Sequence, residues 1–370
     1  MKLKLFALIA LCCISFSNAQ TKKAKKKPKA VVSGTVGVTY ENYGLTKNPT
    51  GWPGFSPRKP WNQVRFKFKP TITIGELKLP FNFSFVQNPT NFLGPYAGIG
   101  AAGNQTFLQY LTNPLNNFSI NPKYKWAELQ LGTQYLNYSE LTTGDIGVFG
   151  AGIDLRPGGY LIKFFTGSSQ QGINQSLIPP VIGAYKRTNW MAQLGKEKEG
   201  TYKIALTAAS GKDHFNSVSS PPLLVTPQRG FVLSLLGKVQ LDQGYFIEAE
   251  TGQTFFSTDT NLGPPIPGGV KSFRPFYTAD ASSLNDFGGT AAFGKKSTNF
   301  DIGFKTYYLG AGFFTMGYPF QQSDRLDLTV NTRFNAWKNK DKTITAILYY
   351  AKICSLQTSI VLHNLTKNGV

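Results

Sequence analysis

Apolar and polar side chains alternate along most of this chain with a period of two. From Ala127 the odd positions carry Ala127, Leu129, Leu131 and Tyr135, and the even ones Glu128, Gln130, Gly132 and Gln134. Successive side chains of a β-strand leave on opposite faces, so this segment has one apolar and one polar face. Phe149, Ala151, Ile153 and Leu155 repeat the pattern, Arg156 to Gly159 (RPGG) supply a turn, and Tyr160, Ile162 and Phe164 open the next strand. No helical period of 3.6 competes here. The stretch from Asn117 to Gly167 therefore predicts consecutive antiparallel strands, each about ten residues long.

The same pattern extends in both directions. Val32, Gly34, Val36, Val38 and Tyr40 mark a first strand, and Glu41 to Lys59 reads as a Gly- and Pro-rich loop. Val64, Phe66, Phe68, Ile72 and Ile74 then alternate with Arg65, Lys67, Lys69, Thr71 and Thr73. At Gly75-Glu76 the phase shifts by one residue and Leu77, Leu79, Phe81, Phe83 and Phe85 follow, which predicts a hairpin. Pro70 and Pro80 sit inside these runs, although proline cannot donate to a ladder. Gln87 to Asn116 is a long insertion suited to an external loop or an inward plug. Further hairpins turn at Lys196 to Gly200 and at Asp242 to Gly244. A loop is expected over Pro264 to Asp286, and strands over Phe300 to Tyr308 and Leu326 to Phe334. The whole predicts an all-β protein, an antiparallel transmembrane barrel of about 12–14 strands or more.

Composition agrees with that class. Aromatic residues make up 14% of the chain and glycine 38 of its 370 residues, while mean hydropathy is only −0.18. Apolar spanning helices would raise that value; alternating strands do not. Residues 1–19 have the form of a cleaved export signal: Lys2 and Lys4, an apolar core from Leu5 to Ile14, and Ser17-Asn18-Ala19 before Gln20. Residues 20–30 form a basic tail, with six lysines between Lys22 and Lys29. It reads as a solvated, disordered lead-in to the first strand, against the sharper reading of an arm for anionic lipid or a partner protein. Nucleic acid is not expected as a partner, since no recognition module follows. Once the signal is removed Cys354 is the one cysteine left, which excludes a disulfide scaffold. The barrel is expected over residues 31–352. From Ile353 the alternation fades and no aromatic residue closes the chain. This C-terminal segment, residues 353–370, predicts either a truncated or frame-shifted portion of a longer barrel, or an atypical closing strand.

Several segments resemble a group of poorly characterised outer-membrane β-barrels of the Bacteroidota. They are LPFNFSF (Leu79 to Phe85), INPKYKWAELQLG (Ile120 to Gly132), FGAGIDLRPG (Phe149 to Gly158) and YYLGAGFFTMGYPFQQSDRLDLTVNTRFNAWKNK (Tyr307 to Lys340). The resemblance implies an outer-membrane barrel and carries no enzyme activity to named residues. Similar proteins continue with further strands where this chain drifts after Thr345. A link to the envelope export machinery rests on analogy alone.

Candidate chemistry is sparse. The chain has two histidines, His214 in a polar, loop-like segment and His363 in the tail, fewer than a zinc site or a hydrolase triad ordinarily uses. No G-x-S-x-G, C-x-x-C or phosphate-loop motif occurs. The GAG triplets at Gly150 and Gly310 read as small-residue strand segments rather than nucleotide fingerprints. Asp324 to Asp327 (DRLD) is a weak calcium pattern. No enzyme activity, metal or cofactor is expected. Candidate lumen-lining residues are Arg65, Lys67, Lys69, Glu128, Gln130, Glu248 and Glu250, and candidate lipid-facing residues are Val64, Phe66, Phe68, Leu129, Leu131, Leu233 and Leu235. Arg65, Lys67 and Lys69 form a positive strip that either favours anions or is solvated lining. Glu248 and Glu250 share a face, as carboxylates for acid–base work would, but a wet lumen accounts for them equally. Tyr124, Trp126, Tyr135 and Tyr138 fit membrane-interface aromatics, or core rings in a soluble protein. The leading function is a channel, transporter or accessory component in the outer membrane, in contact with lipid and with other envelope proteins. The alternative is a soluble periplasmic or secreted β-sandwich that binds glycans through its aromatic residues.

Overall fold

The computed structural model describes residues 30–42, 62–86, 116–144, 146–177, 180–181, 183–319, 321–338 and 343–355. The expectations for the signal peptide, for the basic tail before Ala30, for most of the Glu41 to Lys59 loop and of the Gln87 to Asn116 insertion, and for the part of the 353–370 segment beyond Ser355 lie outside them. The wall begins with β1 (Ala30–Asn42), β2 (Asn62–Ile74), β3 (Leu77–Val86), β4 (Asn117–Ile120), β5 (Lys123–Tyr124) and β6 (Ala127–Tyr135). It continues through β7 (Gly147–Leu155), β8 (Tyr160–Gln170), β11 (Lys186–Lys198), β12 (Tyr202–His214), β13 (Arg229–Gln240) and β14 (Tyr245–Ser257). β15 (Ser283–Lys296), β16 (Phe300–Leu309), β17 (Arg325–Lys338) and β18 (Thr343–Ser355) complete it, and β9 (Ser176–Leu177) with β10 (Pro180–Val181) form a separate two-stranded sheet.

These strands make one 16-stranded antiparallel sheet in which spatial order follows chain order from β1 to β18, with β5 bridging β3 and β6. Sequential antiparallel pairing through hairpins is the topology that local alternation dictates. One continuous sheet also replaces the two facing sheets that the sandwich alternative requires. Strands as distant in order as β7 and β16 enclose the same cluster of buried side chains, so the sheet curls round it as a barrel wall. Among the described residues no ladder joins β1 to β18.

The two ends of the wall differ. At one end the connections are tight: Gly75-Glu76, Arg156 to Gly159, Glu199 to Thr201, Leu241 to Gly244 and Ser297 to Asn299. At the other they are long, spanning residues 136–146, 171–185, 215–228, 258–282 and 310–324. Several boundaries differ from expectation. The ladder of β11 and β12 runs out to Lys198↔Tyr202, so the turn is shorter than Lys196 to Gly200. β15 begins at Ser283, which takes Asp286 out of the expected loop. His214 ends β12 instead of lying in a loop, with its Nε2 2.8 Å from Thr188 Oγ1. Pro70 and Pro80 lie within β2 and β3, where the ladder steps from Phe68↔Phe83 to Thr71↔Pro80. Gly132 has φ +89, and a Cβ there would stand 1.9 Å from the carbonyl oxygen of Phe118. Only glycine lets β4 approach β6 this closely.

Exposure along the central strands is inverted relative to a soluble protein. Leu235, Ile247 and Phe293 are 52%, 54% and 57% exposed, whereas Gln193, Thr207 and Ser234 are 0%, 0% and 1% exposed. Register sets the exposed side chains beside one another: Ile247 pairs with Phe293, Phe293 with Phe304, and Phe304 with Val330. The rings of Phe293 and Phe304 stack at 5.1 Å. The apolar belt is on the outside, and the side chains packed out of solvent are inside.

Candidate functional site

The interior is built by two of the long connections. The segment 136–146, between β6 and β7, and the segment 310–324, between β16 and β17, both turn inward. Leu136, Tyr138 and Leu141 of the first and Phe313 of the second pack with Val148, Phe165, Met191, Ala209, Val232 and Leu309 of the wall in one buried cluster. Leu141 and Phe313 are fully buried. Burying a side chain of this size stabilises by about 1.5–3 kcal/mol, so these residues hold the loops against the wall.

A loop inside a barrel must also pair its backbone, because an unpaired buried amide is costly. Wall residues on alternate positions do this. Gln193 Nε2 donates to the carbonyl of Tyr138 at 2.8 Å, and the backbone N–H of Glu140 donates to Glu250 Oε2 at 3.1 Å. The hydroxyls of Ser139 and Ser234 are 3.3 Å apart. Lys305 Nζ reaches both carboxylate oxygens of Glu140 at 2.6 Å. The loops also bind each other: Gly144 N–H donates to Gly317 O at 3.0 Å, and Thr315 Oγ1 to Thr142 O at 3.0 Å. Asn189 Nδ2 donates to Met316 O at 3.2 Å, and Gln321 joins Glu140 O to the Tyr307 hydroxyl. Asp286 seats the start of the second loop by accepting from the N–H of Gly312 at 2.8 Å. A Cβ at Gly310 would stand 2.2 Å from that carboxylate. Gly310 to Gly312 is thus a turn into the lumen, not the strand segment expected.

Beside the loops a cavity of about 610 Å³ remains, bounded by Glu140, Tyr318 and Gln321 on one side and by Tyr307, Arg325 and Asn331 on the other. Arg325 pairs with Asp327 and stands 5.2 Å over the Tyr307 ring. The two ends of the DRLD calcium pattern therefore do not converge on a cation, since Asp327 already faces a guanidinium. Among the described residues no group of His, Cys, Asp and Glu is arranged to hold a metal.

The other candidates fall in three places. Arg65, Lys67 and Lys69 share one face of β2, opposite Thr39, Gly37 and Thr35 of β1, and Val64, Phe66 and Phe68 occupy the other face. Register continues Phe68 to Phe83 and Phe83 to Phe118, and the next outer residue of β4, Ile120, pairs with Leu131. The rings of Phe83 and Phe118 stack at 4.9 Å. Arg65, Lys67 and Lys69 are consequently on the face of the inward loops. Glu128 and Gln130 lie on that face of β6, with Glu128 3.8 Å from Lys123, and Leu129 and Leu131 on the opposite one. On β14, Glu248 pairs with Lys238 at 3.1 Å while Glu250 is committed to the Glu140 amide. The two carboxylates are thus engaged separately, which acid–base cooperation would not favour. Leu233 and Leu235 are exposed on β13.

Tyr138 is a correction among the aromatic residues. Tyr124, Trp126 and Tyr135 are exposed, but Tyr138 is 5% exposed inside the lumen. Burial, and secondarily the Asp154 carboxylate, push its phenol well above the usual tyrosine range. Alternation could not find the inward loops. Their one signal is apolar content, LNYSEL and GAGFFTMGY, unusual for connections that would otherwise face water.

No protein-family model matches the chain, and no curated protein sequence matches it. Solved structures similar to it include a loop L8 deletion mutant of OmpT, an outer membrane protein of Vibrio cholerae, at 10% identity over 88% of this chain and 95% of that one, TM-score 0.42. Pseudomonas aeruginosa OpdQ aligns at 9% identity over 88% of this chain and 80% of that one, TM-score 0.43. A porin aligns at 9% identity over 88% of this chain and all of its own, TM-score 0.37. At that level of similarity the functional argument rests on the geometry of this chain alone.

Proposed function

We propose that this chain is an outer-membrane β-barrel channel whose lumen is narrowed by the two inward loops. The observation that carries the reading is the inverted wall: apolar side chains in register outside, polar ones and the buried cluster inside. Water gives no reason to expose Leu235, Ile247 and Phe293 side by side; hydrocarbon does. Strand length supports the same placement. β11 to β15 run twelve to fourteen residues. At about 3.3 Å per residue and a tilt of about 40°, they project about 30–35 Å, enough for an apolar band of about 25 Å.

The ends support it too. Tight turns at one end and long loops at the other are the asymmetry of barrels with short periplasmic turns and longer external loops. At the tight-turn end Tyr124, Trp126, Tyr160 and Tyr245 are exposed on the wall. Lys125, Lys196 and Lys295 stand 5.4, 5.8 and 4.6 Å over the rings of Tyr124, Tyr160 and Tyr245. Such rings and ammonium groups suit a headgroup layer. Residues 1–19 would serve as the export signal and residues 31–352 as the barrel. The resemblance of its motifs to barrels of the Bacteroidota is in keeping with this placement.

Single-channel recording in planar bilayers tests the reading. Refolded full-length protein is expected to give discrete conductance steps. Heat-modifiable, membrane-inserted protein that gives none would contradict a channel.

A further inference from the structure

We infer that the passage selects anions, through a basic ladder on the inner face of β2 whose three cations outnumber the single carboxylate flanking them. The inference rests on the channel reading and names the class of solute that such a channel would pass. Arg65, Lys67 and Lys69 occupy alternate positions of β2. Side chains on one face of a strand recur about every 7 Å, so the three charges run about 13 Å along the wall. Neighbouring charges are therefore closer than the Debye length of about 10 Å at 0.1 M salt, so their fields overlap.

Their direct partners across the ladders are neutral, and the one acid on the same face of β1, Glu41, lies beyond Arg65, opposite Gln63. Thr39, Gly37 and Thr35 face them from β1, and Val86 and Ser84 face Arg65 and Lys67 from β3. Arg65 Nε is buried without a hydrogen-bond partner, whereas Lys67 and Lys69 are exposed to the lumen. Among the described residues, no ion pair engages any of the three.

Several cations elsewhere in the lumen are matched. Lys163 lies 3.3 Å from Asp154, Arg187 2.7 Å from Asp213, Lys238 3.1 Å from Glu248 and Lys305 2.6 Å from Glu140. The contrast is written into the sequence. Residues 41–128 contain nine Lys and Arg and three acids, Glu41, Glu76 and Glu128. Glu76 sits in the β2–β3 turn, 3.2 Å from Lys125, at the rim rather than along the wall.

The inward loops decide where solute passes. Through Val148, Phe165, Met191, Ala209 and Val232 they cover the inner faces of β7, β8, β11, β12 and β13. The cavity they leave lies against β16 and β17, and the proposed passage runs between it and β2. Glu140 of the first loop is already neutralised by Lys305. A narrow path along a low-dielectric wall of one sign concentrates counter-ions and excludes co-ions. Small inorganic and organic anions are the solutes such a path favours.

The test is the reversal potential of the refolded full chain in a tenfold potassium chloride gradient. The wild type is expected to pass chloride over potassium with a permeability ratio of about three or more, as a local potential of order kT per charge gives. Arg65→Gln, Lys67→Gln and Lys69→Gln together should bring the ratio toward unity with heat-modifiability retained, while Lys196→Gln on the outer face should leave it unchanged. Should the triple variant fail to refold, Lys67→Glu alone must lower the ratio. A conducting wild type with a ratio at or below unity overturns the inference and leaves the channel standing, as does a substituted channel that keeps the wild-type ratio. Folded, inserted protein without conductance overturns the channel reading, and this inference with it.

Discussion

Lys305 of β16 reaches into the lumen and closes on Glu140, with both carboxylate oxygens 2.6 Å from its ammonium group. The pair joins a wall strand to the loop from the other side of the chain, where Glu140 also offers its amide to Glu250 and its carbonyl to Gln321. Three separate parts of the wall and of the second loop thus converge on one residue.

Both members of this ion pair are more than a third exposed, at 37% and 46% of their side chains. Its contribution to stability is therefore expected to be small, about 0–1 kcal/mol. Its contribution to position is larger, because it holds the loop at the edge of the cavity. Glu140→Gln should leave the unfolding midpoint nearly unchanged and raise open-channel noise in single-channel records. A quiet variant channel would assign no positioning role to the pair.

Leu141 is the test of whether the core lies inside the barrel. It is fully buried among the residues that join the loops to the wall. Leu141→Ala should destabilise by about 2–5 kcal/mol, the range for a buried leucine that leaves a cavity. Leu235→Ala, on the outer face, should cost less, since lipid fills the space that the side chain vacates. Urea unfolding in the same detergent or vesicle, read by tryptophan fluorescence, compares the two. Equal losses would speak against an internal core.

The outer face makes the opposite demand. Arginine at Leu233 or Leu129 should impair insertion by about 2–4 kcal/mol near the bilayer midplane. The yield of the heat-modifiable form after refolding into vesicles measures this. Near wild-type yields from both variants would place these residues away from hydrocarbon.

Tyr138 gives a pH-dependent prediction. Its hydroxyl is buried with no hydrogen-bond partner among the described residues, so Tyr138→Phe should be neutral or slightly stabilising at pH 8. In the folded protein the phenol titrates higher than in the unfolded chain. The unfolded chain therefore loses this proton first, and wild-type stability falls as pH rises above about 10. Tyr138→Phe should remove that part of the alkaline loss. Parallel alkaline unfolding curves for the two proteins would contradict the buried position.

The wall was legible because alternation is a local property. The hairpin at Gly75-Glu76, the turn at Arg156 to Gly159 and the opposite faces of Lys67 and Phe68 all follow from neighbours in sequence. The lumen was not. Leu141 stands between Glu140 and Thr142 with no period to announce it, and its partners Phe165, Met191 and Val232 are spread over distant strands. Tyr138 looked like an interface ring for the same reason: its position depends on the inward turn of the loop, not on a strand face. Gln193, Thr207 and Ser234 were readable as polar positions, but not as the groups beneath a buried loop.

The most direct measurement of the central claim is fractionation of the expressed full-length protein, with carbonate washing and an electrophoretic comparison of heated and unheated samples. Retention in the outer membrane through the wash, together with a heat-dependent change in mobility, is the result that an inverted barrel wall requires. A wash-released protein whose mobility heating does not change would contradict it, and would leave the exposed belt of Leu235, Ile247 and Phe293 without its lipid.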